Sequence, residues 1–188
     1  MIRAHHRLAV CLVSLLLVTT GLAQRRRDPL NPLEVDQLRD TAQEPEERLK
    51  LYVKFARARL DTLSKARTDP GKTNRGQDVH DALQDFLAVY DELNDNIDTY
   101  ADRKDDIRKA LKLIIEADTE FQAGLRALKD SATASREEYK KYEFLLSDAL
   151  ETLDSSAPDH RQLLTEQEEL AKQKKLVKPD AQAAPKTR

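Results

Sequence analysis

Beyond its first two dozen residues the chain offers two histidines, His80 and His160, and neither cysteine nor methionine. Neither histidine falls in a Glu-x-x-His, His-x-x-x-His or His-Glu-x-x-His pattern, so the ligand sets of di-iron bundles and zinc hydrolases are incomplete. Two histidines also leave little for a Ser–His–Asp triad. His80, between Val79 and Asp81, reads as a surface residue with an acidic neighbour. Without sulfur there is no thiolate nucleophile, Cys-based zinc site, iron–sulfur cluster or Met/His haem ligation. The tyrosines and phenylalanines fall mostly at positions that read as core. This inventory predicts a non-enzymatic protein with no catalytic residue, no cofactor and no resident metal, and no nucleic-acid partner is expected.

Two stretches imitate ligand-binding loops. Ala66 to Thr73 satisfies a permissive spelling of a phosphate-binding loop, ending in Gly71-Lys72-Thr73. That motif works only where a strand precedes it and a helix opens at the lysine. Here a helical pattern precedes it and a polar stretch follows, so it reads as a plain loop. Asn94 to Asp105 spaces oxygen ligands like a calcium loop, at Asn94, Asn96, Asp98, Asp102 and Asp105. An EF-hand needs Gly at the sixth position and usually Glu at the twelfth. Thr99 and Asp105 stand there instead, while Ile97 and Tyr100 belong to an apolar helical pattern.

That region reads instead as an acidic helix face. Between residues 78 and 106, Asp78, Asp81, Asp85, Asp91, Glu92, Asp95, Asp98, Asp102, Asp105 and Asp106 meet only Arg103 and Lys104, a net charge of −8. Asp91, Asp95, Asp98, Asp102 and Asp105 share a 4-3-4-3 spacing and line one stripe. Like charges four residues apart each cost a helix a few tenths of a kcal/mol. A basic neighbouring helix, a divalent cation or a cationic partner could offset this. Internal neutralisation by Lys50, Lys54, Arg57 and Arg59 is the simplest explanation, and weak divalent-cation binding is the second alternative.

The elements that would carry this face are helical throughout. Leu49, Tyr52/Val53, Ala56, Leu60 and Leu63 mark a first helix, opened by Pro45 with Glu46 and Glu47 and stopped at Thr68-Asp69-Pro70-Gly71. Leu33 to Ala42 forms a shorter helical stretch before it. Val79, Leu83, Phe86, Tyr90, Leu93, Ile97 and Tyr100 step by 4 and 3 in alternation, a heptad seam. The seam continues in phase through Ile107, Leu111, Ile114, Phe121, Leu125 and Leu128, interrupted at Lys104 and Asp118. Two arrangements fit. One is a continuous helix from Gln77 to Lys129; the other reverses near 101–106 and gives helices over 46–67, 77–101, 103–130 and 136–154. Unbroken phase without Gly or Pro in the turn region favours the continuous helix. Tyr139, Tyr142, Leu146, Ala149/Leu150 and Leu153 mark a further helix, with a stop expected at Asp154 to Pro158 and an edge-packed last helix from Asp159 to about Lys175. The fold class predicted is all-α, an elongated antiparallel helical bundle of three to four main helices with coiled-coil-like heptad packing.

Composition agrees: 35% of the 188 residues are charged, with four Gly and no Trp. Arg3, His5, His6 and Arg7 precede an uncharged run from Leu8 to Thr20, and Gly21-Leu22-Ala23 closes it with small residues. This is the layout of a secretory signal peptide cleaved after Ala23. The apolar run is shorter than the roughly 20 residues of a spanning helix, which argues against a retained anchor. Cys11 lies too early for a lipidated N-terminus, and Arg25-Arg26-Arg27 lies after the apolar run, where a twin-arginine signal does not place it. Removing residues 1–23 takes away Arg3, Arg7 and no acid, so the net charge moves from −2 to −4. The loss of Cys11 leaves no thiol to mispair in an oxidising compartment. The organisation expected is 1–23 signal peptide, 24–31 basic segment, 32–170 helical bundle domain and 171–188 basic flexible tail. The two ends hold +2 and +5, so the body between them carries −11.

Residues 31–40 (NPLEVDQLRD), 47–61 (ERLKLYVKFARARLD) and 166–176 (EQEELAKQKKL) resemble segments of uncharacterised exported all-helical proteins of the acidobacterial type. The resemblance implies export and a helical fold over most of the mature chain, and brings no activity or site with it. The function expected is that of an exported interaction or structural protein of the bacterial cell envelope, periplasmic or secreted, with a protein partner or self-association. The alternative is a peripheral binder whose basic ends touch an anionic envelope surface of lipid or polysaccharide.

Overall fold

The first helix, α1 (Pro32–Asp40), is opened by a capping box. Asn31 accepts the Glu34 backbone N–H through Oδ1 at 3.0 Å, and Glu34 accepts the Asn31 N–H at 2.9 Å. The computed structural model describes residues 28–69, 71, 73–130 and 135–176. The expected signal peptide, Arg25 to Arg27 and residues 177–188 lie outside the described residues. Five further helices follow: α2 (Pro45–Thr68), α3 (Arg75–Asp102), α4 (Arg108–Lys129), α5 (Arg136–Lys140) and α6 (Glu143–Leu176). Among the described residues the chain is all-α, and none of its helices is long and apolar enough to cross a membrane.

Pro45, Glu46 and Glu47 open α2 as their types require, with the ring at the first turn and the acids on the positive end of the dipole. The short stretch from Leu33 is a separate helix, tied to α2 by a clasp. Arg59 donates from Nη1 to Glu34 Oε1 at 3.0 Å and from Nη2 to Oε2, and its Nε reaches the Pro29 carbonyl at 3.2 Å. Burial pushes the Glu34 carboxyl up, but the Arg59 hydrogen bonds, the Asn31 N–H and the Arg59 charge outweigh it and hold the group below its ordinary 4.5.

The continuous helix favoured by the seam does not form. The chain reverses after Asp102, and α3 and α4 face each other across the core between α2 and α6, with Tyr90 reaching Asp118 and Phe86 reaching Phe121. The turn is a Schellman motif. Asp105 N–H bonds to the Tyr100 carbonyl at 3.0 Å and Lys104 N–H to the Ala101 carbonyl at 2.9 Å. Lys104 occupies the left-handed position, φ 61°, where glycine is usual. Gln167 of α6 closes the turn from outside: its Oε1 accepts the Ile107 N–H at 3.2 Å and its Nε2 donates to the Asp105 carbonyl at 3.1 Å. Phase continuity misled because each arm of a hairpin needs its own apolar seam. Leu83, Phe86, Tyr90 and Leu93 are buried on one arm, and Leu111, Ile114, Phe121 and Leu125 on the other.

The stop expected at Asp154–Pro158 is also overturned, because α6 runs through Pro158. The ring removes one N–H and so leaves the Asp154 carbonyl without its intrahelical donor. Pro158 lies on the solvent side, while Ala157 and His160 are buried. The helix keeps its course because its inner face is packed on both sides of the proline. The short α5 sits against α3 at Gly76, where an added Cβ would come within 2.9 Å of the Glu138 carbonyl oxygen. Arg75 pairs with Glu138 at 3.1 Å beside that contact.

Two outcomes follow from these local geometries. Lys104→Gly relieves a left-handed L-residue and is expected to stabilise the protein by about 1 kcal/mol, read as a higher denaturation midpoint at unchanged slope. Because the folded Glu34 value is lowered, its contribution is fully present above about pH 4.5 and is lost as acid titrates through the folded value. Amide exchange in α1, corrected for intrinsic rates, should therefore lose protection on acidification in the wild type, and Glu34→Gln should already show the lowered protection at neutral pH.

Candidate functional site

The face of α3 that looks away from the core carries Gln84, Asp85, Ala88, Asp91, Glu92 and Asp95, which share one side at helical spacing. Leu145, Asp148 and Thr152 form the corresponding face of α6. Together with Asp28 and Pro29 they enclose a groove of about 710 Å³. Six carboxylates line it: Asp28, Asp85, Asp91, Glu92, Asp95 and Asp148. Leu87, Ala88 and Leu145 supply an apolar floor, and the described side chains of the lining include no lysine or arginine.

The five-aspartate stripe of the sequence is divided by the fold. Asp91 and Asp95 belong to the groove, Asp98 and Asp102 continue exposed along α3, and Asp105 lies in the turn with Arg103 Nε 3.2 Å away. Among the described residues, the α2 cations expected to neutralise the stripe pair with other acids. Lys50 pairs with Glu47 at 2.7 Å, Arg57 with Glu120 at 2.8 Å and Arg59 with Glu34, while Lys54 adds its charge near Glu34. Spacing within one helix could not reveal that Asp148 and Asp28 join the acids of α3. Among the described residues no three histidine or acidic side chains converge closely enough to hold a metal ion. The pseudo-calcium stretch runs along α3 and into its turn, with its oxygens spread along a helix rather than folded round a point. His80 is half-buried, with Nδ1 3.2 Å from Asp81 Oδ1.

Directly behind the groove lies a polar network within the core. Asp118 is fully buried and accepts the Tyr90 hydroxyl through Oδ1 at 2.8 Å. Its Oδ2 lies 2.9 Å from His160 Nδ1. His160 Nε2 lies 3.2 Å from Asn94 Oδ1, and Asn94 Nδ2 donates to Ser156 Oγ at 3.1 Å. Burial, the Asp118 charge and the hydrogen bond to Asp118 all push the Tyr90 hydroxyl up, so it stays a donor. Phe86 and Phe121 wall the network, with Phe121 edge-on to Tyr90 at 6.3 Å between centroids. Sequence reasoning passed over this cluster, although its signal is visible in the spacing. Tyr90 and Asp118 stand at seam positions of α3 and α4, and Leu146, Leu150, Leu153, Ala157 and His160 step 4-3-4-3 straight across Pro158.

The network brings together a histidine, a carboxylate and a serine, but not as a nucleophilic triad. Asn94 stands between Ser156 and the imidazole, and no hydrogen bond joins His160 to Ser156 directly. Its chemistry is that of a cross-link between α3, α4 and α6. The chain matches no protein-family model, and neither a curated protein nor a solved structure is significantly similar to it. Asp118→Ala, which leaves His160 and Tyr90 without their acceptor, is expected to cost about 3 kcal/mol or more in denaturant unfolding. Asp118→Asn keeps an acceptor for Tyr90 and should cost visibly less.

Proposed function

We propose that the protein is an exported, non-enzymatic interaction protein of the bacterial cell envelope that holds a basic polypeptide segment in the groove between α3 and α6. Its body is read as an antiparallel bundle of four main helices, α2, α3, α4 and α6, packed along heptad seams. The observation that carries the reading is the groove itself: six carboxylates ranged over an apolar floor. A segment with lysines or arginines at its edges and small apolar side chains between them matches that surface in charge and in hydropathy. Phe144, one turn before Asp148 on the same side of α6, is 81% exposed and adds an apolar contact at the rim. Export is supported by the basic, apolar and small-residue layout of residues 1–23 and by the lack of thiol after Ala23.

A cationic segment complements the local charge of this end of α3. Asp91 and Asp95 are four residues apart on one helix, and α3 has no basic residue in its last turn to complement its dipole. The test uses the mature chain from Gln24 and a fluorescent Lys/Arg-rich amphipathic peptide, with its Glu-substituted counterpart as control. Binding to the basic peptide is expected, weakening with salt, and the triple substitution Asp91→Asn, Asp95→Asn, Asp148→Asn should weaken it about tenfold or more without loss of folding. Equal binding of both peptides, or unchanged affinity in the triple variant, would overturn the reading.

A further inference from the structure

His160 is the last buried side chain along α6 among the described residues. Beyond it Leu163, Leu164 and Gln167 are half-buried, and Leu170 is 54% exposed. The distal stretch, 161–176, is otherwise tied down by the Gln167 contacts to the α3–α4 turn and by a largely exposed Lys112–Glu168 pair at 2.9 Å. Just before it, Pro158 leaves out a rung of the helix. A helical arm with so little buried apolar surface opens at low free energy, so the anchor at its root decides how firmly it stays closed.

We propose that Asn94, Asp118 and His160 form a proton-operated latch that holds this distal arm of α6 on the body of the protein. Both imidazole nitrogens face oxygens, Nδ1 towards Asp118 Oδ2 and Nε2 towards Asn94 Oδ1. A protonated ring donates to both and matches the charge of the buried carboxylate. A neutral ring can keep one N–H on Asp118, but its other nitrogen then presents a lone pair to the lone pairs of Asn94. Relief requires the Asn94 amide to turn over, which ends its donation to Ser156 Oγ unless that hydroxyl reverses as well. Loss of the proton also removes the cation that faces a fully buried carboxylate.

The titratable groups facing the imidazole are Asp118 from α4 and Tyr90 from α3, whose ring centroid is 6.5 Å away; Asn94 from α3 and Ser156 on α6 do not titrate. Tyr90 stays neutral, as burial and the Asp118 charge require. Among the groups that face one another here, the imidazole is the one whose residue type serves as a proton switch. The sign follows from the geometry: the arm is held while the ring is protonated and loosens as the pH rises.

The experiment is hydrogen exchange on the mature full chain at about pH 5.5 and about pH 8, corrected for intrinsic rates, together with NMR of the imidazole nitrogens across the same range. Amides of 161–176 should be protected about tenfold more at the lower pH, with a midpoint that coincides with the His160 ring titration, while core amides of α3 and α4 change little. His160→Gln should abolish the pH dependence, and Asn94→Asp, which cannot turn a donor towards the ring, should move the midpoint upward. Protection of 161–176 that ignores pH, or an equal pH response in His160→Gln, would overturn the latch. So would a His160 ring that stays in one protonation state throughout, a result that needs no variant to fold.

Discussion

A fully buried carboxylate is among the least tolerated groups in a protein interior, and Asp118 is one. Its presence dictates who its neighbours must be: one donor for each oxygen, and a group able to carry positive charge. Tyr90 and His160 fill those places from two other helices. Because each partner stands at an inward position of its own helix, satisfying Asp118 sets the axial register of α3, α4 and α6 at once. A slide of one residue along any of them would turn a partner away and leave a charge uncompensated. Apolar layers alone, such as Leu83 and Leu111, tolerate such slippage far better. The aromatic wall of Phe86 and Phe121 then raises the stakes by keeping water out of the network.

Much of the helical plan was legible in the residues, because amphipathic spacing and end signals are local. Pro45-Glu46-Glu47 opens α2 as read, and the seam residues of α3 and α4 are buried as their spacing requires. The turn at 103–107 was not legible for a physical reason. It is encoded by a run of charged residues and one lysine in a left-handed conformation, not by Gly or Pro, and the seam on either side keeps phase because both arms face the same interior. Pro158 misled in the opposite sense. A proline is a strong local breaker, yet its ring lies on the solvent side, where a lost rung is hydrated, and burial of Ala157 and His160 holds the helix together. In both places packing outweighed a local preference.

The acid-lined groove shows the same division between what is local and what is not. The aspartates of α3 were visible as a stripe, but a stripe is not a surface until its neighbours are known. The fold sends Asp105 into the turn, leaves Asp98 and Asp102 exposed beyond the groove, and brings in Asp28 and Asp148 from distant parts of the chain. The cations of α2 are committed elsewhere, Arg59 to the α1 clasp and Arg57 to Glu120. The groove thus sets carboxylates from three parts of the chain beside low-dielectric apolar side chains, where a charge acts more strongly than on a flat face.

Groove and network also share their two helices. On α3, Asp91 and Asp95 point into the groove while Tyr90 and Asn94, each their direct neighbour in sequence, point into the core. On α6, Asp148 and Thr152 line the groove, and Ser156, one turn further, accepts from Asn94. The Asn94–Ser156 bond thus ties together the two walls of the groove close to its end. A separation of the two helices at that bond would widen the groove beside it. The distance between the α3 acids and Asp148 of α6 is in this way tied to a hydrogen bond beneath them, and the register imposed by Asp118 extends to the acid-lined groove.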